Sequence, residues 1–228
     1  MSRPIDPNRP EFELEILRQA ARVFSEVGYR QSTTEHIAKT VKLKKSSLYH
    51  YFKNKENILF QALAMNLKRS LEPLLALKQD GAPAAQRLGA AIRLQVQAIV
   101  EAPYIGNLFV TDKASLTSRH LKQCLELRDR HEQILRSIIE QGIADGSLAN
   151  IDSSIAVKII YGALNGLPLW WKPNGRYGPA EIGSIFVDAL VDRMLAKERG
   201  PASQPLKPAA VAPPRGKRAD GSAKKSIR

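Results

Sequence analysis

Cysteine is nearly missing from this chain: Cys124 stands alone among 228 residues. It can form no internal disulfide, and no Cys/His cluster has zinc-ligand spacing, so a disulfide-stapled scaffold and a zinc module are both excluded. A reducing, cytoplasmic setting fits. Long apolar runs are absent as well. None approaches the ~18–20 residues of a membrane helix, and the opening MSRPIDPNRPEFELE lacks the apolar core of a signal peptide, so neither membrane association nor export is expected. Strand signals are sparse and no repeat of solenoid length occurs. There is also no visible nucleophile–base pair, metal set or phosphate loop. Cys124 has His120 and His131 one and about two turns away, but that charge-rich helical stretch offers no oxyanion site or orienting partner. The expectation is a protein that is not an enzyme, with no catalytic residues, no metal and no cofactor.

Acidic residues are also in short supply, 22 against 35 Lys+Arg, which leaves a net charge of +13. The excess is unevenly placed. Residues 1–60 carry +4, residues 61–196 only +2, and residues 197–228 the remaining +7. That last segment is rich in Pro, Ala and Lys and has no apolar periodicity, so it is expected to be disordered. It is either an auxiliary arm that attracts phosphates regardless of sequence or a solvated tail without a partner.

Apolar residues recur at spacings of three and four, which predicts an all-α chain. A first helix spans Glu11 to Val27, with Leu14, Leu17, Ala20, Ala21, Phe24 and Val27 on one face and Gly28 as its cap. Ser32, Thr33 and Thr34 offer an N-cap for a second helix carrying Ile37 and Ala38 and ending near Thr40. After a turn at 41–43, a third helix points Leu48 and Phe52 inward. A fourth starts near Asn54 and runs towards Leu77, bent at Pro73. Beyond it come a helix through Ala85–Val100 with Pro83 in its first turn, a short segment Tyr104–Val110, and a long helix Ser115–Ala144 with Leu121, Leu125, Ile134, Leu135, Ile138 and Ile139 as apolar positions. A nearly all-apolar helix capped at Asp152 or Ser153 runs to about Trp170. The last helix spans about Pro179 to Lys197, with Ile182, Ile185, Phe186, Ala189, Leu190 and Met194 in one stripe.

The stretch TTEHIAKTVKLKKSSLYHYFKNKENIL, residues 33–59, carries the chemistry. Two short helices joined by a tight turn fit a helix-turn-helix, in which the second helix enters the major groove and the first braces it. With Leu48 and Phe52 inward, Lys45, Ser46, Tyr49 and His50 face outward. Lys donates to phosphate or guanine acceptors, Ser bonds to either, Tyr offers a ring to a thymine methyl and a hydroxyl to phosphate, and His donates to phosphate. Thr34 and Lys55 sit at helix N-termini suited to phosphate oxygens.

Phe24, Gly28, Tyr29, Thr34, Ile37, Ala38, Lys45, Ser47, Leu48, Tyr49, His50, Tyr51, Phe52, Lys55 and Leu59 together resemble the DNA-binding segment of the TetR family of bacterial transcriptional regulators, over roughly residues 12–60. The resemblance implies DNA contacts from Lys45, Ser46, Ser47, Tyr49 and His50, with Thr34, Tyr51 and Lys55 on the backbone; Lys44, next to Lys45, joins the expected DNA-binding set. One departure is Lys42, where the family usually has Gly in the turn. A left-handed Lys42 costs about 1–2 kcal/mol, so either the turn is reshaped or Lys42 stays and adds a phosphate contact.

One short recognition helix reads few base pairs, which calls for a two-fold dimer on a palindromic operator. The last two helices are the candidates for its interface. Gly162 and Gly166 permit close helix approach there, either between subunits or within one. The body between head and tail holds polar groups in apolar helices: Arg93, Arg119, His120, Arg128, His131 and Asn165, with Phe109 and Trp170 as apolar partners. Each is either a ligand contact or an ordinary surface or salt-bridge residue. The run ALNGLPLWWKPNGRYGPAEI, residues 163–182, resembles the end of the regulatory domain in the TetR branch that responds to acyl-CoA thioesters in lipid and sterol catabolism. That resemblance implies a small-molecule effector, an acyl-CoA, in the body; Trp170 and Trp171 also make sense as anchors of an inter-helix loop. The division expected is a helix-turn-helix DNA-binding domain at 1–56, a ligand-binding and dimerisation domain at 57–197, and a basic tail at 198–228. The function expected is a repressor that occupies its operator as a homodimer and is released by its effector. A ligand-activated activator and a constitutive architectural DNA binder are the alternatives.

Overall fold

Gly28 ends the first helix and decides how the head begins. It adopts φ +87°, a conformation strained for any residue with a side chain, and a Cβ there would lie 2.5 Å from the Gln31 side-chain oxygen, which would have to move. The computed structural model describes residues 9–195. The expected tail, and the end of the helix expected to reach Lys197, lie outside the described residues. All regular structure among the described residues is helical.

Helix α1 is Arg9–Val27 and α2 is Thr34–Thr40. Of the three candidate caps, Thr33 is the one used. Its hydroxyl accepts from the His36 N–H at 3.2 Å, and His36 Nδ1 accepts the Thr33 N–H at 3.3 Å, so His36 fills the return position usually held by Glu or Gln. α2 ends in a Schellman turn: the Leu43 N–H donates to Ala38 O at 2.8 Å and the Lys42 N–H to Lys39 O at 3.2 Å. Lys42 sits in the left-handed position at φ 56°, so the turn keeps the geometry that normally selects glycine. α3, Lys45–Leu48, is only four residues long, shorter than the periodicity predicts. Phe52 is nonetheless buried with Leu48, because its N–H donates to Leu48 O at 3.1 Å and carries the helical spacing past the element's end.

α4, Lys55–Gln79, opens on an Asn54 side-chain cap and contains Pro73. α5 is Ala84–Glu101, with Pro83 as its cap residue rather than in its first turn. α6, Pro103–Asp112, extends the short segment expected there and is followed by a 3-10 turn at Lys113–Ser115. α7 therefore starts at Ser118, capped by Thr117, and ends at Ala144. α8 is Ser153–Trp170 with Asp152 as its cap, and α9 is Pro179–Val187, continued by a π-helical turn at Asp188–Arg193.

Two apolar cores result. The first joins Phe24, Ile37, Ala38, Leu48 and Phe52 of the head to Ile58 and Leu59 of α4, and continues into Ile105, Leu108 and Cys124 of α6 and α7. Each fully buried large side chain here stabilises the fold by about 1.5–3 kcal/mol. The second core joins α4, α5, α7, α8 and α9 through residues such as Leu74, Leu88, Ile92, Leu135, Ile138, Ile160, Leu164 and Leu190. Leu125, expected in the core, is exposed. The buried stripe of α7 tracks Cys124, Leu127, His131, Ile134 and Leu135 instead, which turns position 125 outward. Leu14, Val27 and Ile185 are likewise exposed edges of their stripes.

Candidate nucleic-acid interface and effector cavity

α3 and the turn after it present an almost wholly polar face. Lys44, Lys45, Ser46, Tyr49 and His50 are exposed and Ser47 is half-buried, while Leu48 and Phe52 hold the segment to the core from behind. Lys39, Lys42 and Lys53 flank this face and are also exposed. Lys45 alone among these lysines has a carboxylate partner, Glu35 on α2; the contact holds the Glu35 carboxyl below its usual range and raises the Lys45 ammonium. Both groups are fully open to solvent, so the pair is weak and exchangeable.

The remaining DNA candidates are more deeply engaged. Thr34 is buried, and its hydroxyl lies 3.3 Å from the Tyr49 hydroxyl, which ties α2 to the recognition segment. Tyr51 packs edge-on against Phe12 with ring centroids 5.6 Å apart, and the Arg9 guanidinium lies 5.4 Å above its ring. Arg9 also donates to the His50 carbonyl at 3.2 Å, so the start of α1 buttresses the segment from outside. Lys55 is engaged within the chain. Its ammonium donates to the carbonyls of Tyr29 and Ser32 at 2.7 and 2.8 Å and sits 4.4 Å over the Tyr29 ring, with its pKa lowered by burial. This lysine ties the loop after α1 to the start of α4, and its charge points into the protein.

In the body, a cavity of about 110 Å³ lies between α4, α5, α6, α7 and α8. It brings together four of the eight ligand candidates: Phe109, Arg128, His131 and Asn165. Arg128 lies 4.5 Å over the Phe109 ring. His131 is buried, and its Nε2 lies 2.8 Å from Leu67 O, an atom that can only accept, so Nε2 carries the proton. Nδ1 is then the acceptor for the Gln95 amide at 3.4 Å. Burial, and to a lesser degree the nearby Arg128 charge, lower the His131 pKa and keep the ring neutral.

The other four candidates lie elsewhere. Arg93 is exposed and runs along the α5–α9 contact, where a Cβ on Gly183 would be 3.5 Å from its Cγ. Arg119 is exposed on the first turn of α7. His120 pairs with Glu56, and Trp170 is exposed at the end of α8. Sequence reasoning missed Gln95, Ser70 and Tyr161. Gln95 falls on the buried stripe Leu88–Ile92–Val96, and Tyr161 lies between Val157 and Leu164 on the buried side of α8; a polar group on an apolar stripe was the available signal. Cys124 is buried with its thiol pushed up to about 11, which makes it an inert core residue. Among the described residues no group of His, Cys, Asp and Glu could hold a metal ion, and no helix is long and apolar enough to cross a membrane.

Comparison with known proteins agrees with this geometry. The family model "Bacterial regulatory proteins, tetR family" matches residues 16–62, and "Tetracyclin repressor-like, C-terminal domain" matches residues 81–194. The chain is 26% identical over 193 residues to the fatty acid metabolism regulator protein of Bacillus subtilis (strain 168), covering 80% of this chain and 95% of that protein. It is 23% identical over 181 residues to the HTH-type transcriptional repressor KstR2 of Rhodococcus jostii (strain RHA1), covering 78% and 88%. The crystal structure of AibR in complex with isovaleryl coenzyme A and operator DNA shares the fold at a TM-score of 0.70 and 24% identity, over 79% of this chain and 98% of that one. An all-α chain with a helix-turn-helix head, both halves of which match one family, has a single assignment: it belongs to the TetR family of bacterial transcriptional regulators.

Proposed function

We propose that this regulator is a repressor that occupies a palindromic operator as a homodimer and leaves it when an acyl-CoA binds in the body. The observation that carries the DNA half is the face of α3. Lys44, Lys45, Ser46, Tyr49 and His50 are exposed, with Ser47 half-buried beside them, on a segment that the Schellman turn and the Leu48–Phe52 pair set against α2. In this reading those residues meet bases and phosphates, while Thr34, Tyr51 and Lys55 hold the segment in place. The head comprises residues 1–56, the sensing and dimer body 57–197, and the tail 198–228 adds nonspecific attraction to DNA.

The dimer reading rests on α8. A Cβ on Gly162 or Gly166 would meet nothing within 4 Å, so neither glycine is needed for packing inside the protomer. Ile155, Ile159 and Leu169 of the same helix and Ile185 of α9 are exposed, Leu169 by 71%. Apolar surface of this kind on a folded chain marks an interface, and a second copy supplies the isologous partner. Ile159→Glu is expected to give monomers in sedimentation velocity; an unchanged dimer would reject this face.

The effector reading draws on two relatives, a fatty acid metabolism regulator and a fold neighbour solved with isovaleryl coenzyme A, and on a cavity that combines apolar walls with Arg128. Ligand release requires tighter binding to the DNA-free state. DNA selected from a random pool by the full chain should contain an inverted repeat with half-sites about one helical turn apart. Tyr49→Ala should weaken binding to that DNA at least tenfold with the fold intact. In vitro transcription from the selected site, with and without an acyl-CoA panel, separates repression from activation; no response in calorimetry to any acyl-CoA would sink the effector reading.

A further inference from the structure

The body cavity has a polar inner end and a mixed mouth. Val110, 62% exposed, and Asn165, also exposed, mark the mouth, whereas Ser70, Gln95 and His131 are buried. Leu63, Leu67, Ile99, Ile105 and Leu164 line the wall. A plain aliphatic chain entering the cavity would press methylenes against buried amide, imidazole and hydroxyl groups, which is unfavourable for any of them left without a partner.

Counting donors and acceptors shows which of these groups are open. Ser70 donates to the carbonyls of Asn66 and Leu67 at 3.4 and 3.2 Å. Both His131 nitrogens are in use, Nε2 towards Leu67 O and Nδ1 towards the Gln95 amide. Because Nδ1 must accept, the Gln95 amide nitrogen faces the ring, and its carbonyl oxygen has no hydrogen-bond partner among the described residues. The Tyr161 hydroxyl is buried without a hydrogen bond among the described residues. An open acceptor and an open donor therefore belong to two side chains that line one cavity.

We propose that the end of the effector that enters this cavity carries an oxygenated group, a hydroxyl or carbonyl on an acyl chain, read by the Tyr161 phenol and the Gln95 carboxamide. This deepens, and rests on, the acyl-thioester reading above. A hydroxyl accepts from Tyr161 and donates to Gln95; a carbonyl accepts from Tyr161 and from the second Gln95 N–H. Leu63, Leu67, Ile99, Ile105 and Leu164 take the chain that carries the group. Tyr161 is thus assigned as the residue that selects oxygenated over saturated effectors.

The test compares 3-hydroxybutyryl-CoA and acetoacetyl-CoA with butyryl-CoA by calorimetry on the full chain and on its Tyr161→Phe variant. In the unaltered protein the oxygenated thioesters should bind at least tenfold more tightly than butyryl-CoA. In Tyr161→Phe that ratio should fall to within about twofold, with butyryl-CoA binding unchanged as the control for an intact cavity. Equal binding of all three to the unaltered protein, or a preference that survives Tyr161→Phe, overturns the assignment and leaves the acyl-thioester reading in place. If none of the thioesters binds, and longer saturated ones fail too, the acyl-thioester reading falls and takes this assignment with it. Binding by long saturated thioesters alone overturns only the oxygenated group.

Discussion

Glu56 on the first turn of α4 accepts from the backbone N–H of Thr117 at 2.9 Å and lies 2.8 Å from Nδ1 of His120. The His120 ring also stacks on Phe60, with centroids 4.0 Å apart and planes 4° from parallel. Glu56 follows directly on the recognition segment, and Thr117 and His120 open the helix whose middle lines the cavity. One carboxylate thus joins the DNA-reading end of the molecule to the start of α7. His120→Ala removes the bond and the stack, and should lower the unfolding free energy by about 1–3 kcal/mol. If the strut transmits effector binding, the same variant should also show a smaller effector-induced drop in operator affinity. Chemical denaturation and operator titrations with and without acyl-CoA measure the two effects separately.

Lys42 holds a left-handed conformation inside the turn that sets α3 against α2. Lys42→Gly should raise stability, since glycine adopts that conformation without the clash; about 1 kcal/mol is expected, part of the relief being offset by glycine's freer unfolded chain. If the exposed ammonium also meets a phosphate, the variant should bind operator less tightly, with a log–log salt slope shallower by about 1.8 for a dimer that loses one contact per subunit. A gain in melting temperature with an unchanged salt slope would show the lysine to be a tolerated strain without a DNA role.

Lys55 and Lys44 should separate stability from binding. Lys55→Ala strips the donors from the Tyr29 and Ser32 carbonyls and should cost about 1–2 kcal/mol of stability, while the salt slope of operator binding stays the same. Lys44→Ala, at an exposed position without a carboxylate partner, should leave the melting curve unmoved and make the salt slope shallower. The reverse pattern would put the Lys55 ammonium on DNA.

His131 makes stability depend on pH in a definite direction. Its folded-state pKa lies below the ordinary value of 6.5, so the unfolded chain takes up a proton first as the pH falls. Its contribution is therefore fully retained above about 6.5 and declines as the pH drops from there towards the folded pKa, below which the loss is complete. His131→Gln should flatten this part of the stability curve relative to the unaltered protein. Urea melts of both proteins between pH 5 and 7.5 measure the difference; parallel curves would mean that the ring titrates freely when folded.

The head was readable from sequence because its determinants are local. Gly28, the Thr33 cap, the Ile37–Leu48–Phe52 apolar set and the outward lysines lie within one short stretch, where spacing alone assigns faces. Lys42 stood out only through the family resemblance, which left open whether the turn is reshaped; the structure shows that it keeps the left-handed conformation. The body was less legible. Arg93, Arg119, His120 and Trp170 look no different in sequence from Arg128, His131 and Asn165, because each is a polar or aromatic residue in an amphipathic helix.

Periodicity determined the helices and which side chains of the third helix face outward, since a helix's faces follow from its own sequence. Which side chains of five helices meet around one cavity was decided only by tertiary packing. The same packing turned Lys55 inward onto carbonyls, paired His120 with a carboxylate 64 positions away, and left the Tyr161 hydroxyl without a partner. The physical reason is that a residue's local spacing fixes its direction from the helix axis, whereas its partners depend on where the other axes lie.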